Sequence, residues 1–381
     1  MKPESGDEYC LNVGIDMHVV DGMYQGSRTY MVEIFSGVIL RCPNVRFYLF
    51  CGDFNALVRL SSSFSLPNVV IVPNVSQNPL FRLVFQFPYF QIKYCLDYLH
   101  VQYILPAFMF CKGVVSLHDI LFESHPQYFS KMFVWRSRIL MRWSALRANK
   151  IFTISSFSKD QICTRYGVCP EKINLVYCGV ATAKFYSGSD GFDHLSARGL
   201  SSKGYILSVG RLDPRKNLVN LVRAYSKSSM QLPLVLVGQN GLRAYELYAT
   251  IEELAVGDKV FVFNDVREFE LGALYRHASF FVFPTFAEGF GLPVLEAMAS
   301  GIPVIVSNTT SLPEVAGKAG ILVDPDSPED ITRSINLLLD SEDLRTSLVQ
   351  SGFEQVKKFT WENSVELVAK FYLAREVNKK V

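Results

Sequence analysis

Short apolar segments alternate with helix-like segments along the whole chain. In the first half this pattern predicts strands at LNVGIDMHV, VRFYLFCG, NVVIVP, DYLHVQY, GVVSLHD, KIFTISS and INLVYCG. Helical periodicity falls between them, notably over residues 131–148 and 156–166. Strands that are separated by helices pair in parallel, so this half is predicted to form a doubly wound α/β sheet.

The second half repeats the alternation with more regular spacing. Its predicted strands are YILSVG, LPLVLVG, KVFVFN, SFFVFP, IPVIVS and GILVD, and its predicted helices cover residues 217–229, 243–256, 268–277, 292–300 and 328–339. Both halves therefore resemble Rossmann units. Such units bind ligands at the carboxyl ends of their strands, so two of them facing each other would form a cleft.

A change in composition separates the two halves. The stretch SGSDGFDHLSARGLSSKG is rich in Ser and Gly and has little periodicity, which is typical of a linker. We therefore expect an N-terminal Rossmann-like domain over residues 1–186, a linker over 187–203 and a C-terminal Rossmann-like domain over 204–360. Residues 361–381 are expected to form a helix that can pack back on the N-terminal domain.

The composition indicates a soluble two-domain protein. Its 381 residues suit two domains of roughly 150–200 residues each, and a net charge of +2 excludes a broad nucleic-acid-binding surface. The eight cysteines are scattered without metal-ligand spacing. The N-terminus MKPESGDEYC lacks the apolar core of a signal peptide, so we expect free thiols and a cytoplasmic location.

The most apolar region, residues 79–110, has two interpretations. Arg82, Lys93, Asp97 and His100 interrupt it, so it holds no uncharged run of about 18 residues that could span a bilayer. We favour helices that are buried or that face an acceptor. The alternative is an aromatic helix in peripheral contact with the inner face of the cell membrane, where Arg82 and Lys93 would meet anionic lipid.

The segment FVFPTFAEGFGLPVLEAMASGIPVI carries two acids, Glu288 and Glu296. The preceding strand places Glu288, Gly289 and Gly291 at the carboxyl edge of the sheet, where glycine lets backbone N–H groups approach a ligand closely. The helix that begins at Leu292 directs its positive end to the same place. Glu296 lies at the edge of the buried face of that helix, where a carboxylate could grip two hydroxyls of one ribose. The alternatives are a solvated helix acid for Glu296 and a loop acid near the helix start for Glu288.

The segment SVGRLDPRKNL places two cations near a strand end. The strand ends at Gly210, and Arg211 and Lys216 follow around a turn. Cations at the carboxyl end of a strand suit a diphosphate, since Arg offers a planar fork and Lys a point charge. The alternative, which these residues taken alone favour, is a solvated turn that caps the next helix.

Three further features carry weaker signals. His118 follows a predicted strand, where an imidazole could donate to a sugar hydroxyl, although a lone histidine is more often structural. Gly26 lies in DGMYQGSRTY, which is not a dinucleotide-binding fingerprint but could let a loop approach a phosphate. The D-P-D of VDPDSPED resembles a metal site, but the Ser-Pro that follows predicts a helix start, so we predict no metal.

Together these motifs resemble glycosyltransferase family 4, whose members are retaining enzymes with the two-domain GT-B fold. The similar segments are VGRLDPRKNL, PTFAEGFGLPVLEAMASGIPVI, SLPEVAGKAGILVDP, LHDILFESHPQYFS and FTISSFSKDQI. They span nearly the whole chain, and those of the second half are specific. The resemblance implies a GT-B fold, with two Rossmann-like, doubly wound parallel-sheet domains facing across a cleft.

The resemblance also implies roles for the charged residues. Arg211 and Lys216 would bind the diphosphate of a nucleotide-sugar donor beside Gly210, and Glu296 would bind its ribose. Glu288 would contact hydroxyls of the transferred sugar.

Backbone and first-domain groups would complete the site. His118 would line the sugar pocket, and Gly26 would lie near the phosphates. The donor-binding backbone would comprise Gly289, Phe290, Gly291 and Leu292.

The expected chemistry needs no cofactor besides the donor substrate. Breaking the anomeric C–O bond releases a nucleoside diphosphate, and preorganised cations with a helix N-terminus stabilise its growing charge. The predicted function is retaining transfer of a hexose to a sugar or lipid-linked acceptor in polysaccharide biosynthesis. UDP-glucose or a similar UDP-hexose is the favoured donor, and GDP-mannose is its rival.

Two other classes of function remain open. One is a sugar-nucleotide epimerase with the same fold, which would form epimerised sugar without an acceptor. The other is a noncatalytic nucleotide-sugar binding protein, which would bind donor without hydrolysis or transfer.

Overall fold

The computed structural model describes residues 11–21 and 26–379, without the side chains of Glu268 and residues 375–379. The chain divides into two compact units. The first comprises the residues up to Ser124, Phe129–Cys178 and the residues from Trp361 onward, and the second comprises His125–Tyr128 and Gly179–Thr360.

The first unit is built on a parallel sheet. Its strands are β1 (Leu11–Asp16), β2 (Val45–Phe50), β3 (Val69–Val72), β4 (Tyr98–Gln102), β5 (Lys112–Ser116), β6 (Lys150–Thr153) and β7 (Ile173–Leu175). They lie in the order β3-β2-β1-β4-β5-β6-β7, and all neighbours pair in parallel. The strands are rich in Val, Ile, Leu and Phe because helices cover such a sheet on both faces.

The helices of the first unit follow the predicted pattern. They are α1 (Gly26–Arg41), α2 (Phe54–Val58), α3 (Pro79–Phe81), α4 (Phe87–Lys93), α5 (Leu121–Ser124), α6 (Lys131–Arg147) and α7 (Ser156–Tyr166). A π-helical turn, Arg82–Gln86, joins α3 to α4. The ends of α7 match the prediction because Ser155 caps its N-terminus and Gly167, in the left-handed conformation, ends it.

The second unit has the same architecture. Its strands are β8 (Ile206–Val209), β9 (Leu234–Val237), β10 (Val260–Phe263), β11 (Phe280–Phe283), β12 (Val304–Ser307) and β13 (Gly320–Val323). They are parallel and lie in the order β10-β9-β8-β11-β12-β13. The strand order reverses direction between β8 and β11, and such a switch point is where doubly wound sheets bind ligands.

The helices of the second unit connect these strands. They are α8 (Asp193–Ser196), α9 (Leu218–Lys227), α10 (Tyr245–Glu253), α11 (Glu268–Arg276), α12 (Leu292–Ala299), α13 (Leu312–Ala316), α14 (Pro328–Asp340) and α15 (Glu342–Val356). The chain then forms α16 (Trp361–Lys379), which belongs to the first unit and packs against α1. In that contact the Val365 side chain fills the space that a Cβ at Gly37 would take.

The boundary between the units differs from the predicted one. It lies between Cys178 and Gly179, whereas residues 187–203 were predicted to link the domains. That segment belongs to the second unit, where Leu195 and Leu200 are buried. The Ser and Gly content of this segment predicts exposed chain, but burial of the two leucine side chains holds it in the second unit.

A helix that crosses a bilayer needs about 20 consecutive, predominantly apolar residues. Among the described residues, none of the helices combines the length and the apolar character needed to cross a membrane.

Candidate active site

Close approach of the backbone shapes the carboxyl edge of the second sheet. Gly210 directly follows β8 and Gly238 directly follows β9. A Cβ at Gly238 would lie 2.0 Å from the Gly210 carbonyl oxygen, so no larger residue fits there without moving the backbone. A Cβ at Gly210 would lie 3.2 Å from Cε of Lys216, so the strand end and this lysine are neighbours.

A cluster of three charged side chains lies at this edge. The Glu288 carboxylate oxygen Oε2 accepts from Nζ of Lys216 at 2.5 Å and from Nη1 of Arg215 at 3.0 Å. Arg215 also donates to the Ala287 carbonyl oxygen at 2.6 Å. The three side chains are 18%, 8% and 20% exposed for Glu288, Lys216 and Arg215, so the cluster is largely shielded from water. We call these residues the Glu288 cluster.

Burial and charge act in opposite directions on the Glu288 cluster. Burial by itself raises the pKa of Glu288, but the cations Lys216 and Arg215 and their hydrogen bonds outweigh it and hold the pKa at about 2. Burial lowers the pKa of Lys216, and the Glu288 carboxylate opposes that shift. We conclude that Glu288 is ionised at neutral pH, because two cations share one of its oxygens.

Hydrogen bonds between loops hold the Glu288 cluster in place. Asn217 adopts φ of 59°, and its Nδ2 donates to the carbonyl oxygens of Pro284 and Pro325 at 2.8 and 2.7 Å. The Thr285 hydroxyl donates to the Arg215 carbonyl oxygen at 2.7 Å. The turn after β8 is thereby fixed to the loop after β11.

Sequence reasoning missed two residues of this arrangement. Arg215 was passed over, although it directly precedes Lys216 and doubles the positive charge of the turn. Asn217 was taken as an ordinary helix start, although asparagine is among the few residues that readily adopt a positive φ. The positive charge of Arg215 and the backbone preference of Asn217 are the sequence signals from which the two residues could have been identified.

Arg211 lies apart from the Glu288 cluster. It is exposed, and its guanidinium forms no hydrogen bond or ion pair with any described residue. The structure therefore brings Lys216 to Glu288 with Arg215 as the second cation, and leaves Arg211 at the strand end next to Gly210. Its role at a donor diphosphate stays a prediction.

The glycine loop after β11 is firmly held. The Ser311 hydroxyl donates to the carbonyl oxygens of Glu288 and Phe290, both at 2.8 Å. Gly291 has φ of 118°, and a Cβ there would lie 2.6 Å from Cδ2 of Leu312. This position therefore requires glycine for both conformation and space.

The predicted donor-binding backbone coincides with the start of α12. Gly291 is the N-cap residue and Leu292 is the first helical residue. Gly289 and Phe290, both buried, complete the loop. Since glycine has no side chain to cap the helix, the N-terminus of α12 offers backbone N–H groups of the kind that bind anions.

Glu296 has a different environment from Glu288. Its Oε2 accepts from the Tyr275 hydroxyl of α11 at 2.9 Å. Burial raises the pKa of Glu296 to about 7, although the Tyr275 hydrogen bond and the charge of Lys184 both lower it. Burial therefore favours the protonated form of Glu296. One of its oxygens has a protein partner already, so the bidentate ribose contact stays a prediction.

His118 lies in the first unit, just beyond the end of β5. It is buried, its ring meets those of Tyr30 and Tyr103 edge-on at 4.6 and 5.5 Å, and its Nε2 has no hydrogen-bond partner among the described residues. Burial lowers the pKa of His118 to about 4, so the ring is neutral at pH 7. The buried Gln102 amide, at the end of β4, also lacks a partner within the described chain. Sequence reasoning missed Gln102.

Gly26 has no steric need to be glycine within the first unit. It is the first residue of α1, and a Cβ there would meet nothing within 4 Å. Gly22 of the same motif lies outside the described residues. The predicted approach of Gly26 to a phosphate stays a prediction.

Comparison with known proteins identifies the family. A sequence model described as "Glycosyl transferases group 1" matches residues 196–355, and one described as "Glycosyltransferase Family 4" matches residues 43–184. The O-antigen chain mannosyltransferase B of Escherichia coli is 34% identical over 259 residues, which cover 66% of this chain and 68% of that protein. The chain is a group 1 glycosyltransferase of family 4 type.

Further relatives agree with the family and the fold. The O-antigen chain mannosyltransferase RfbU of Salmonella typhimurium is 31% identical over 214 residues, which cover 56% of each chain. The structure of sucrose-phosphate synthase from Thermosynechococcus elongatus has a TM-score of 0.78 at 20% identity and covers 97% of this glycosyltransferase and 100% of that chain. Anabaena Alr3699/HepE in complex with UDP-glucose has a TM-score of 0.76 at 17% identity, with 96% and 100% covered. These structures show the fold alone, and the predicted GT-B fold is confirmed.

The acidic motif after β13 of this glycosyltransferase starts a helix. The Ser327 hydroxyl accepts from the Asp330 backbone N–H at 3.1 Å, and Pro328 is the first residue of α14. The predicted N-cap is therefore confirmed. Within the described part of the chain, no group of three or more His, Cys, Asp or Glu side chains is placed to hold a metal ion.

Proposed function

We propose that this glycosyltransferase transfers mannose from GDP-mannose to a sugar or lipid-linked acceptor in the synthesis of an O-antigen or a related polysaccharide. The observation that carries the sugar-transfer chemistry is the Glu288 cluster at the strand switch point, next to the N-terminus of α12. Cations and helix N-termini at such an edge suit the diphosphate of a nucleotide sugar.

The proposed reaction exchanges one bond at the anomeric carbon. The anomeric C–O bond breaks, and its electron pair stays on the departing diphosphate. Lys216 and Arg211, together with Arg215, which shares Glu288 with Lys216, stabilise that charge. The acceptor hydroxyl forms the new bond to the anomeric carbon and gives up its proton to a phosphate oxygen. Attack on the face from which the diphosphate leaves would retain the anomeric configuration.

The Glu288 cluster suggests how donor binding begins. In the free protein the Glu288 carboxylate is paired with both Lys216 and Arg215. An incoming diphosphate competes with the carboxylate for these cations, and Glu288 becomes available to accept from hydroxyls of the transferred sugar. The diphosphate of the donor thus takes the place of the Glu288 carboxylate, instead of binding to cations that have no partner in the free protein.

The choice of donor rests on the named relatives. Sequence reasoning favoured a UDP-hexose and kept GDP-mannose as its rival. The curated relatives from Escherichia coli and Salmonella typhimurium are named mannosyltransferases, which supports GDP-mannose. The HepE complex with UDP-glucose is a neighbour by fold alone, and therefore does not favour UDP-glucose here.

Calorimetric titration with GDP-mannose, UDP-glucose and an ADP-sugar tests the donor, followed by product analysis with and without acceptor. We expect GDP-mannose to bind at least about tenfold more tightly than the others, which is about 1.4 kcal/mol. Tighter binding of UDP-glucose would reinstate the UDP-hexose. Epimerised sugar in the absence of acceptor would identify an epimerase, and binding without hydrolysis or transfer would identify a binding protein.

A further inference from the structure

Helix α6 in the first unit has apolar side chains on two opposite faces. Its inner face buries Val134, Met141 and Ala145. Its outer face is exposed, and four large apolar side chains recur along it: Met132 (79% exposed), Trp135 (67%), Ile139 (53%) and Leu146 (48%). At about 100° per residue these four lie within roughly 60° of one another, so they form one stripe.

Positive charge flanks this stripe on both sides. Helix α6 contains five basic residues and no acidic residue. On a helical projection Lys131, Arg138 and Arg142 lie along one edge of the stripe, and Arg136 and Arg147 lie along the other. Of these five, only Arg138 forms an ion pair within the described chain, with Glu123 at 3.0 Å. Four of the five cations that border the stripe therefore have no ion-pair partner among the described residues.

A second exposed apolar stripe follows residues 79–93. Phe81, Phe85, Tyr89 and Ile92 recur at intervals of four, four and three residues, and each is about half exposed or more. The sequence favoured a segment that is buried or faces an acceptor. The structure shows a segment with two faces, because its inner side chains pack in the core while this stripe is exposed.

One loop connects the two exposed stripes. The Gln91 side chain donates to the Phe108 carbonyl oxygen at 3.2 Å, and the Leu105 backbone N–H donates to the Ser144 hydroxyl of α6 at 2.9 Å. Phe108 and Phe110 of this loop are about 60% exposed, at 59% and 61%. The two stripes and the exposed side chains of this loop therefore belong to one unit, in which the same loop hydrogen-bonds to both helices, and together they make up a set of exposed apolar side chains. We call it the apolar-basic face.

We propose that the apolar-basic face binds the surface of a bilayer that contains anionic phospholipid. An aromatic and aliphatic stripe bordered by Lys and Arg is the pattern of helices that lie in the membrane interface. The apolar side chains enter the boundary of the acyl chains, while the long basic side chains reach the phosphate groups of the lipids. The stripe is convex, as a helix surface is, and cations lie along both of its edges. A soluble protein partner would therefore need a groove that is both deep and acidic on its two sides.

This inference does not depend on the proposed donor. It uses only surface residues of the first unit, and none of them belongs to the Glu288 cluster. Loss of lipid binding with intact donor binding would therefore separate the membrane role from the sugar-transfer role.

Co-sedimentation of the full chain with vesicles tests the proposal. One set of vesicles contains phosphatidylcholine alone, and the other contains equal parts of phosphatidylcholine and phosphatidylglycerol. We expect binding to the anionic vesicles only, and weaker binding as salt is added. The absence of binding, or equal binding to both kinds of vesicle, would overturn the proposal.

Two double variants separate the apolar and the charged contributions. Met132→Ser with Trp135→Ser removes the two N-terminal side chains of the stripe, which are also its most exposed, and Arg136→Gln with Arg142→Gln removes a cation from each edge. Each pair is expected to weaken partitioning by about tenfold or more. Binding at the wild-type level by either pair contradicts the proposal.

Matched controls come from the second unit. Leu242→Ser with Tyr245→Ser removes apolar side chains that are 59% and 67% exposed. Arg223→Gln with Lys318→Gln removes two exposed cations. Both controls should bind vesicles as the wild type does, and calorimetric donor binding should be unchanged in all four. A dimer of the chain that the stripe variants dissociate, with no lipid binding, would assign the face to a second copy instead and overturn the proposal.

Discussion

The surroundings of Glu288 and those of Glu296 differ although both acids belong to one short motif. Two cations hold the pKa of Glu288 at about 2, after outweighing burial. Burial raises the pKa of Glu296 to about 7, and among the described residues only the Tyr275 hydroxyl donates a hydrogen bond to its side chain. The spacing of two acids along the chain thus says little about their charge, which is set by groups from other segments.

This difference suggests a division of labour in the proposed reaction. Glu288 is ionised at neutral pH, and in the proposed reaction it gives up its two cations to the diphosphate. Burial raises the pKa of Glu296 and so favours its protonated form, whereas a ribose bound through two hydroxyls favours its ionised form because a carboxylate is the stronger acceptor. The predictions below test each side of this difference, beginning with the largest effect.

Removing a cation should have the largest effect on catalysis. Lys216→Ala or Arg211→Ala is expected to lower kcat/KM at least about a hundredfold, because loss of a group that stabilises developing charge costs about 2.7–4 kcal/mol. Steady-state kinetics with the donor identified by titration measures this. Lys227→Ala, an exposed lysine paired with Glu329, is the control. Unaltered turnover in either site variant would refute its role.

Neutralising Glu288 should destabilise the fold. Glu288→Gln leaves Lys216 and Arg215 shielded from water without their shared anion, and we expect a loss of about 2–3 kcal/mol in the free energy of unfolding at pH 7. Because the folded pKa lies below the ordinary value of 4.5, this stability is present above pH 4.5 and is lost as the pH falls towards 2. Urea unfolding at several pH values measures it. Glu329→Gln removes an exposed partner of Lys227 and should leave the free energy of unfolding nearly unchanged; an equal loss there would contradict the account.

Neutralising Glu296 should have the opposite sign. Its folded pKa of about 7 lies above the ordinary value of 4.5, so the folded state binds more protons and stability falls as the pH rises between these values. Glu296→Gln is expected to remove that slope and to stabilise the donor-free protein by about 1–2 kcal/mol at pH 8. The same urea experiment measures it. A destabilised variant with the slope intact would show that burial does not dominate at Glu296.

Shortening the hydrogen-bonding fork of Arg215 should have the smallest effect. Arg215→Lys keeps the charge but cannot maintain contacts to both Glu288 and the Ala287 carbonyl oxygen. We expect kcat/KM to fall about fivefold, or about 1 kcal/mol for one hydrogen bond. Arg223→Lys, on an exposed helix surface, is the control. A loss as large as that of Lys216→Ala would make Arg215 a principal phosphate ligand.

Most of the fold was predictable because local patterns and global structure agree. All strands named from the sequence occur, and α7 has the predicted ends since Ser155 and Gly167 supply local start and stop signals. The linker could not be placed in this way. Burial of Leu195 and Leu200 depends on distant partners that composition does not reveal.

The candidate site was predictable in its location but not in its pairing. The strand ends placed Lys216 and Glu288 at one edge of the sheet, yet the two are 72 positions apart, and their direct contact follows only from the loops between them. Arg215 was missed for the same reason, since its partners lie on the loop after β11. Local sequence patterns cannot assign an ion pair between residues that are 72 positions apart.

A crystal structure with GDP-mannose or its competitor from the titration tests the central claim most directly. We predict that the oxygens of the diphosphate lie within hydrogen-bonding distance of Arg211 and Lys216, and that Glu296 contacts the ribose hydroxyls. A diphosphate bound elsewhere, with Arg211 facing solvent and Lys216 still paired only with Glu288, would contradict the account.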